Sequence, residues 1–446
     1  MDVTLDDLAG CFEGVYPSAL ATQASDGMPN ISYLSHVVQV DDGHVALSNQ
    51  FFAKTASNIR SDPRATLQLV DPHNGVQYHL ALVWQSSADR GSLFDRINGQ
   101  LTASSAQIGM SDVMRLRSVD IFRVEGIVRV EGDATSDVEA DIIVPGMPEF
   151  AAFLQRLADI ADPSDLLTDF LRIVRESFGH EHAMVLLSDI GGKTLTAAAS
   201  MGYGSAAVGA EVPCGVGLIG TAAETGRSMR ISDVSRVRRM GRAVADSSQP
   251  EAGASREVLL PGLPAALSQI AIPMKVQGEV LGILFVESLQ RLAFNEATTS
   301  ALEIAAQQVA AILALHQQPA EELAEPQAAP VMDRVSDGQT ILVEHHAFDQ
   351  SVFIDRAYVI KGLAGRMLAH MLVRHRDEGR QDFTNRELRL AMAGVLPDFK
   401  DNLETRLLLL RRRLDELQMP IRVLHVNRGQ LRLEVSGEVA LSLENQ

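Results

Sequence analysis

The stretch His44–Val70, HVALSNQFFAKTASNIRSDPRATLQLV, admits few local folds: strand, polar break, short basic helix, stop, strand. Val45–Leu47 is an apolar strand signal that Ser48-Asn49-Gln50 interrupts. Lys54 to Arg60 has helical character, and Pro63 ends the helix. Such a helix start offers free backbone N–H groups and the positive end of its dipole, which favour an anion. With Lys54 and a hydroxyl beside it, the segment suits a phosphate group. The other reading is a surface helix between two strands with Lys54 solvated, and the residues leave both open.

A wider stretch, from about Tyr16 to Val130, resembles the flavin-binding split barrel of pyridoxamine 5'-phosphate oxidase and its relatives. The carrying residues are ALATQASDGMPNISYLSHVVQVDDGHVALSNQFFAKTASNIRSDPRATLQLVDP. The resemblance implies flavin mononucleotide (FMN) as cofactor, with haem or a deazaflavin as alternatives. It implies that Ser48, Asn49, Lys54 and Thr55 sit at the FMN phosphate, with Tyr33, Leu34, Ser35 and His36 beside the isoalloxazine ring. It also implies a homodimer, because split barrels of this family usually build their flavin site across a two-fold interface. The chain departs from the oxidases in three places. Ser32 stands where they carry an arginine, Lys54-Thr55 replaces an Arg-Lys pair, and their C-terminal substrate-gripping basic residues have no clear counterpart. Cofactor binding is therefore expected, and oxidation of pyridoxamine phosphate is not.

A chain of 446 residues is too long for one ordinary core and points to three domains. With 46% hydrophobic and 22% charged residues, it has a globular composition. No run of about 18 apolar residues predicts a membrane span, and the acidic start MDVTLDDLAG does not read as a signal peptide. Two cysteines far apart, Cys11 and Cys214, suit a reducing cytoplasm, and each reads as a small buried apolar residue. The net charge of −18 argues against general nucleic-acid coating. Its distribution says more: from Val331 onward there are 17 basic and 17 acidic side chains, against 22 and 40 before it. A neutral module follows an acidic body.

Punctuation divides the chain into modules at 1–135, 150–316 and 336–446. Residues 317–335 form a linker, which takes in most of the Ala-, Pro-, Gln- and Glu-rich run His316–Asp333 that cannot bury a core. In the middle module, FLQRLADIADPSDLLTDFLRIVRESF has helical spacing with a break at Asp162-Pro163. AMVLLSD is strand-like, AIPMKVQGEVLGILFVES reads as two strands around Gln277-Gly278, and NEATTSALEIAAQQVAAILALH closes as an amphipathic helix. With GVGLIGTAAETGRSMRISDV, this order resembles a GAF domain, a small-ligand and redox sensor module, so an unknown small ligand is expected there. His180 and His182 could share a strand face as haem or metal ligands, or be polar residues at a strand start. Cys214 could be a sensing thiol, but no cation stands near it in sequence to lower its pKa.

The last module reads as a strand-like HAFDQSVFIDRAYVI, a helix GLAGRMLAHMLVRHRDEG, and a helix opened by a Thr384/Glu387 capping box. A third helix, KDNLETRLLLLRRRLDEL, precedes a hairpin around Asn427-Arg428-Gly429. This layout resembles the winged helix-turn-helix output domain of response regulators. The resemblance implies that Asp401–Leu417 enters the major groove of DNA, with Arg406, Arg411, Arg412 and Arg413 on phosphates or bases and Arg428 on the wing. Leu407–Leu410 conflicts with that, being apolar right round the helix. The alternative is a helix with one face in its own core and the other against a partner.

The expected whole is a multidomain α+β chain with an N-terminal split β-barrel, a central GAF α/β sandwich and a C-terminal winged helix. The expected function is a one-component transcriptional regulator, sensing flavin, redox state or a small ligand and binding an operator as a homodimer. The alternative is a flavin-dependent oxidoreductase with regulatory appendages. No nucleophile–base pair or basic substrate clamp favours it, although flavin chemistry needs few protein groups. A third possibility is an interaction hub that docks a protein on the leucine-rich helix.

Overall fold

The computed structural model describes residues 3–50, 53–106, 115–130, 142–189, 191–203, 207–235, 262–317, 340–392, 403–427 and 429–444. The expected linker beyond Gln317, the first two residues of the expected Asp401–Leu417 helix and Arg428 lie outside these residues.

The N-terminal strands are β1 (Ser18–Gln23), β2 (Pro29–Leu34), β3 (Val37–Asp41), β4 (His44–Asn49), β5 (Arg64–Val70), β6 (Gln77–Ala88) and β7 (Ser118–Arg129). They form one antiparallel sheet in the order β2-β1-β5-β6-β7-β4-β3. In β5 alternate residues Ala65, Leu67 and Leu69 face the core, the period-2 burial of a strand with one apolar face. A 3-10 helix, Asp6–Glu13, closes that core with Leu8 and Cys11. Helix α1 (Ala53–Ser61) joins β4 to β5, as the sequence predicts, and α2 (Ser92–Ala106) joins β6 to β7.

The central module has strands β8 (His182–Ser188), β9 (Thr194–Met201), β10 (Glu211–Pro213), β11 (Met229–Ile231), β12 (Ser268–Val276) and β13 (Glu279–Ser288). Their order is β10-β9-β8-β13-β12-β11. Helices α3 (Met147–Ala158), α4 (Pro163–Phe178) and α6 (Glu296–Gln317) share one core with this sheet, and α5 (Gly217–Thr225) lies in a second. The break at Asp162-Pro163 falls between α3 and α4. There the Asp162 carboxylate caps α4, accepting from the Ser164 N–H at 2.7 Å, while Pro163 takes the first turn where no N–H is needed. Gln277 and Gly278 both have positive φ, 51° and 88°, as the tight turn between β12 and β13 requires. Gly220 in α5 is sterically obligatory, since a Cβ there would lie 2.3 Å from the Pro213 carbonyl oxygen.

Helix α6 is packed into the protein. Among the described residues it is long and apolar enough in composition to cross a membrane. Its apolar side is instead partly used at home, with Leu302, Ala305, Ala306, Val309 and Ala310 buried in the central core.

The C-terminal module comprises β14 (Thr340–His346), β15 (Ser351–Ile354), β16 (Ala357–Ile360), α7 (Gly362–Glu378), β17 (Asp382–Thr384), α8 (Asn385–Ala391), α9 (Leu403–Glu416), β18 (Ile421–Asn427), β19 (Gln430–Val435) and β20 (Glu438–Glu444). Three helices and then a hairpin follow in the expected order. The Thr384/Glu387 capping box is formed on both sides. Two features differ from the sequence reading. The single strand-like segment is a β15–β16 hairpin, turned at Asp355 and Arg356 with φ of 48° and 66°. A further strand, β20, returns to pair in parallel with β14.

The barrel meets the central module through α2 and α5. Ala103 is buried in the α5-side core, and the Gln100 amide donates to the Arg230 carbonyl at 3.1 Å. The central module meets the C-terminal one through α9. Leu403, Leu407, Leu410 and Leu414 fill the C-terminal core, whereas Leu408 and Leu409 are buried in the central one. A helix apolar all round is a helix with two buried faces.

Candidate functional site

The polar break after β4 folds back on the β2–β3 connection. The Ser48 hydroxyl accepts the His36 backbone N–H at 3.1 Å, and the Ser48 N–H donates to the His36 carbonyl at 3.0 Å. The Ser35 hydroxyl donates to Gln50 Oε1 at 3.1 Å. Ser35, His36, Ser48 and Gln50 thus form one cradle beside the start of α1. Gln50 is only 4% exposed, and its Nε2 has no hydrogen-bond partner among the described residues. Burying an amide donor without an acceptor costs about 1–3 kcal/mol, so this atom marks the place where a ligand acceptor would be stabilised. Lys54, in the first turn of α1, is exposed and pairs with no carboxylate among the described residues. A buried donor lacking an acceptor and an unpaired ammonium at a helix start suit an anionic headgroup. Gln50 was not among the sequence-derived site residues, although its place in the Ser48-Asn49-Gln50 break is a signal that could have found it.

Other expected cofactor residues sit elsewhere. Thr55 is 3% exposed, and its hydroxyl is held by Ser32 at 2.6 Å and Asn30 at 3.0 Å. That bonding ties α1 to β2 and removes the hydroxyl from the cradle. Neighbouring Asn58 donates to Thr22 at 3.1 Å, extending the same polar seam. The Asn49 amide turns to Asp120 at 3.0 Å, which also accepts from Ser87. Leu34 is buried in the barrel core, so its side chain is not available to a ring, while Tyr33 is 73% exposed.

Of the described arginines expected to touch DNA, Arg411 and Arg412 face the central module instead, and Arg406 and Arg413 line the seam between the modules. Arg411 Nη1 lies 2.9 Å from Asp162 Oδ2. Arg412 donates to the Ser164 carbonyl at 2.5 Å and to the Ser164 and Thr168 hydroxyls at 3.0 and 2.6 Å. Arg413 donates to the Val359 carbonyl at 3.2 Å and lies 3.5 Å from Glu416. Arg406 is partly buried between the modules. The reason is the leucine run: once Leu408 and Leu409 enter the central core, the arginines that follow reach the head of α4. Burying each leucine contributes about 1.5–3 kcal/mol, whereas the largely buried Arg411–Asp162 pair must first offset its own desolvation, so the leucines hold the contact and the arginines fix its register. In this arrangement α9 does not offer Arg411 and Arg412 to a groove. Burial lowers the Arg412 guanidinium to about 10. Burial raises Asp162, yet Arg411 and the backbone donors of Ser164 and Asp165 outweigh that and hold the carboxyl below its usual range.

The central module contains a buried carboxylate that the sequence did not single out. Glu287 on β13 is fully buried and accepts from Tyr203 Oη at 2.7 Å, Gln269 Nε2 at 2.6 Å and the Leu263 N–H at 2.7 Å. Burial raises both Glu287 and Tyr203 above their usual ranges. His182 packs edge-on to Tyr203, ring centroids 5.7 Å apart. His180 lies apart from it, in the core beside Phe294, and burial lowers its pKa to about 4. No metal-holding group of three His, Cys, Asp or Glu side chains occurs among the described residues. Burial raises the thiols of Cys11, to about 12, and of Cys214, so neither is an activated thiolate.

Two family models match the chain: Pyridoxamine 5'-phosphate oxidase over residues 6–138, and GAF domain over residues 160–314. No curated protein matches it. Solved structures similar to parts of the chain include the GAF domain of an Acinetobacter phosphoenolpyruvate-protein phosphotransferase. That similarity has 20% identity, covers 37% of this chain and 90% of that one, and has a TM-score of 0.31. An FMN-binding protein from Syntrophomonas wolfei is 16% identical over 28% of this chain and 84% of its own, with a TM-score of 0.25. A free methionine-R-sulfoxide reductase from Neisseria meningitidis is 20% identical over 37% and 86%, with a TM-score of 0.29. Residues 6–138 are thus a split-barrel domain of the pyridoxamine 5'-phosphate oxidase type, followed over residues 160–314 by a GAF domain.

Proposed function

We propose that this chain is a flavin-responsive regulator in which the barrel and the GAF domain sense and the C-terminal module acts. The observation that carries the reading is the unpartnered, buried Gln50 amide beside the start of α1, with Lys54 unpaired in the next turn. Gln50, Ser48 and Lys54 would hold the phosphate end of FMN, with Ser35 and His36 on the same cradle. A bound flavin supplies reversible electron storage; the chain's own residues bind its anionic end and fix its position. The relay follows the packing already described, from α2 to α5 on one side of the GAF sheet and from α4 to α9 on the other. Control of this kind needs a ligand with different affinities for two arrangements of the modules.

DNA is the proposed target of the C-terminal module, on the strength of its three helices, its hairpin and its basic α9. Because α9 is docked on α4, the arrangement described here is the closed one, and groove entry requires its release. A homodimer is the proposed assembly, supported by the exposed, uncharged α6 positions Ile304 and Leu315.

Absorption spectroscopy and mass spectrometry of the purified chain test the cofactor. A flavin spectrum and FMN in the released fraction support it, and a colourless chain that takes up no added FMN overturns it. The output is tested by salt-dependent retention of promoter fragments, comparing the wild type with Asp162→Asn/Ser164→Ala/Thr168→Ala. That variant loosens α9 without altering it. Tighter, sequence-selective retention by the variant supports the closed-form reading, whereas no retention by either protein sinks DNA as the target.

A further inference from the structure

A cavity of about 200 Å³ lies on the seam between the GAF domain and the C-terminal module. Thr196 and Glu211 of the GAF sheet line one side, and Tyr358, Lys361, Arg406 and Arg413 line the other. Three of these six side chains are cationic and one is acidic. The acidic one is already engaged, because Glu211 Oε2 lies 3.2 Å from Lys361 Nζ. Arg413 bonds the Val359 carbonyl and pairs with Glu416. Arg406 is attracted by Glu211 and Asp189, but its Nε is enclosed and has no hydrogen-bond partner among the described residues. A guanidinium is a five-donor fork, and a buried donor lacking an acceptor is the costly state of such a group. Lys361 is also the N-cap residue of α7, where it makes no side-chain capping hydrogen bond, and Ala364 of that first turn lines the same cavity. The positive end of α7 therefore adds to the cationic lining.

We infer that this seam cavity binds a small oxyanion, with Arg406 as its principal partner and Lys361 and Arg413 at its rim. Its size sets the class. At about 30 Å³ per water, the space corresponds to roughly half a dozen waters, enough for inorganic phosphate or a short carboxylic acid. The position sets the consequence. The anion contacts residues of both modules, so occupancy favours the docked arrangement of α9 by mass action. This site is separate from the barrel cradle and does not rest on flavin being the barrel's cofactor.

Isothermal titration of the full chain with inorganic phosphate, and separately with succinate, tests the inference against sodium chloride at matched ionic strength. The expected result is saturable binding of one anion per chain that survives Lys54→Ala, apart from any phosphate taken by the barrel cradle. The stronger of the two titrants tells a phosphate site from a carboxylate site. Arg406→Met should weaken binding tenfold or more, and Lys361→Ala severalfold. The Lys361 side chain is half exposed, so this variant remains informative where Arg406→Met does not fold. Lys54→Ala, in the barrel, should leave this binding unchanged. Absence of saturable binding by either anion overturns the inference. So does binding that persists in Lys361→Ala and disappears in Lys54→Ala, which would assign the anion to the barrel.

Discussion

Arg411 on α9 and Asp162 at the head of α4 stand 249 residues apart in sequence and 2.9 Å apart in space. Asp162 serves two helices at once: it caps its own α4 and anchors α9 of another module. Both side chains are about one-fifth exposed, so their separation would leave charge in a poorly hydrated place.

Two substitutions separate those roles. Asp162→Asn keeps an N-cap acceptor and removes the charge, and should cost about 1–2 kcal/mol of stability. Asp162→Ala removes the cap as well and should cost about 1 kcal/mol more. Urea unfolding of the full chain measures both. Equal losses in the two variants would mean that capping contributes nothing at this helix.

The ion pair also sets a pH dependence. The Asp162 carboxyl is held below its ordinary value in the folded chain, so the pair's contribution is complete above the unfolded pKa of about 3.9. It is lost as pH falls through the lower folded value. The stability difference between wild type and Asp162→Asn should therefore stay constant from neutral pH to about pH 5 and shrink below about pH 4. A difference that grows on acidification would contradict the assignment.

Glu287 satisfies three donors from one buried carboxylate. Glu287→Ala leaves Tyr203, Gln269 and the Leu263 N–H without an acceptor and should destabilise the GAF domain by about 3 kcal/mol or more. Glu287→Gln keeps one acceptor oxygen and should cost less. Thermal unfolding followed by near-ultraviolet circular dichroism gives both values, and equal losses would point to packing rather than hydrogen bonding.

In the barrel, Lys54→Ala should weaken FMN binding about tenfold, the worth of one charge-assisted contact of about 1.4 kcal/mol. Flavin fluorescence quenching reads this directly. Because Lys54 is exposed, far-ultraviolet circular dichroism should not change. Gln50→Leu should weaken binding while leaving the Lys54 contribution intact. Unaltered affinity in both variants would move the headgroup away from α1.

The parts of this fold legible in sequence are those fixed by near neighbours. Pro63 stops α1, Gln277-Gly278 turns β12 into β13, and Thr384 with Glu387 opens α8; each acts within a few residues. The illegible parts are contacts between distant segments, which leave no period. Tyr203 and Glu287 meet across 84 residues, and Thr55 on α1 finds Asn30 and Ser32 on β2. The leucine run shows the boundary well. Leu407–Leu410 announces two buried faces, but only the fold reveals that the second lies against the chain's own GAF domain. Three arginines after it read as a DNA face because charge runs carry no address.

The parallel pairing of β20 with β14 has a consequence for synthesis. The sheet that opens the C-terminal module is completed by a strand made nearly a hundred residues later, so the module cannot close while that strand is still in the ribosome. The barrel and GAF domain emerge earlier and can fold first. The helix that joins output to sensor therefore finds its seat after both sensors have formed, and any protein that loses Glu438–Glu444 should retain its sensors while leaving them nothing to hold.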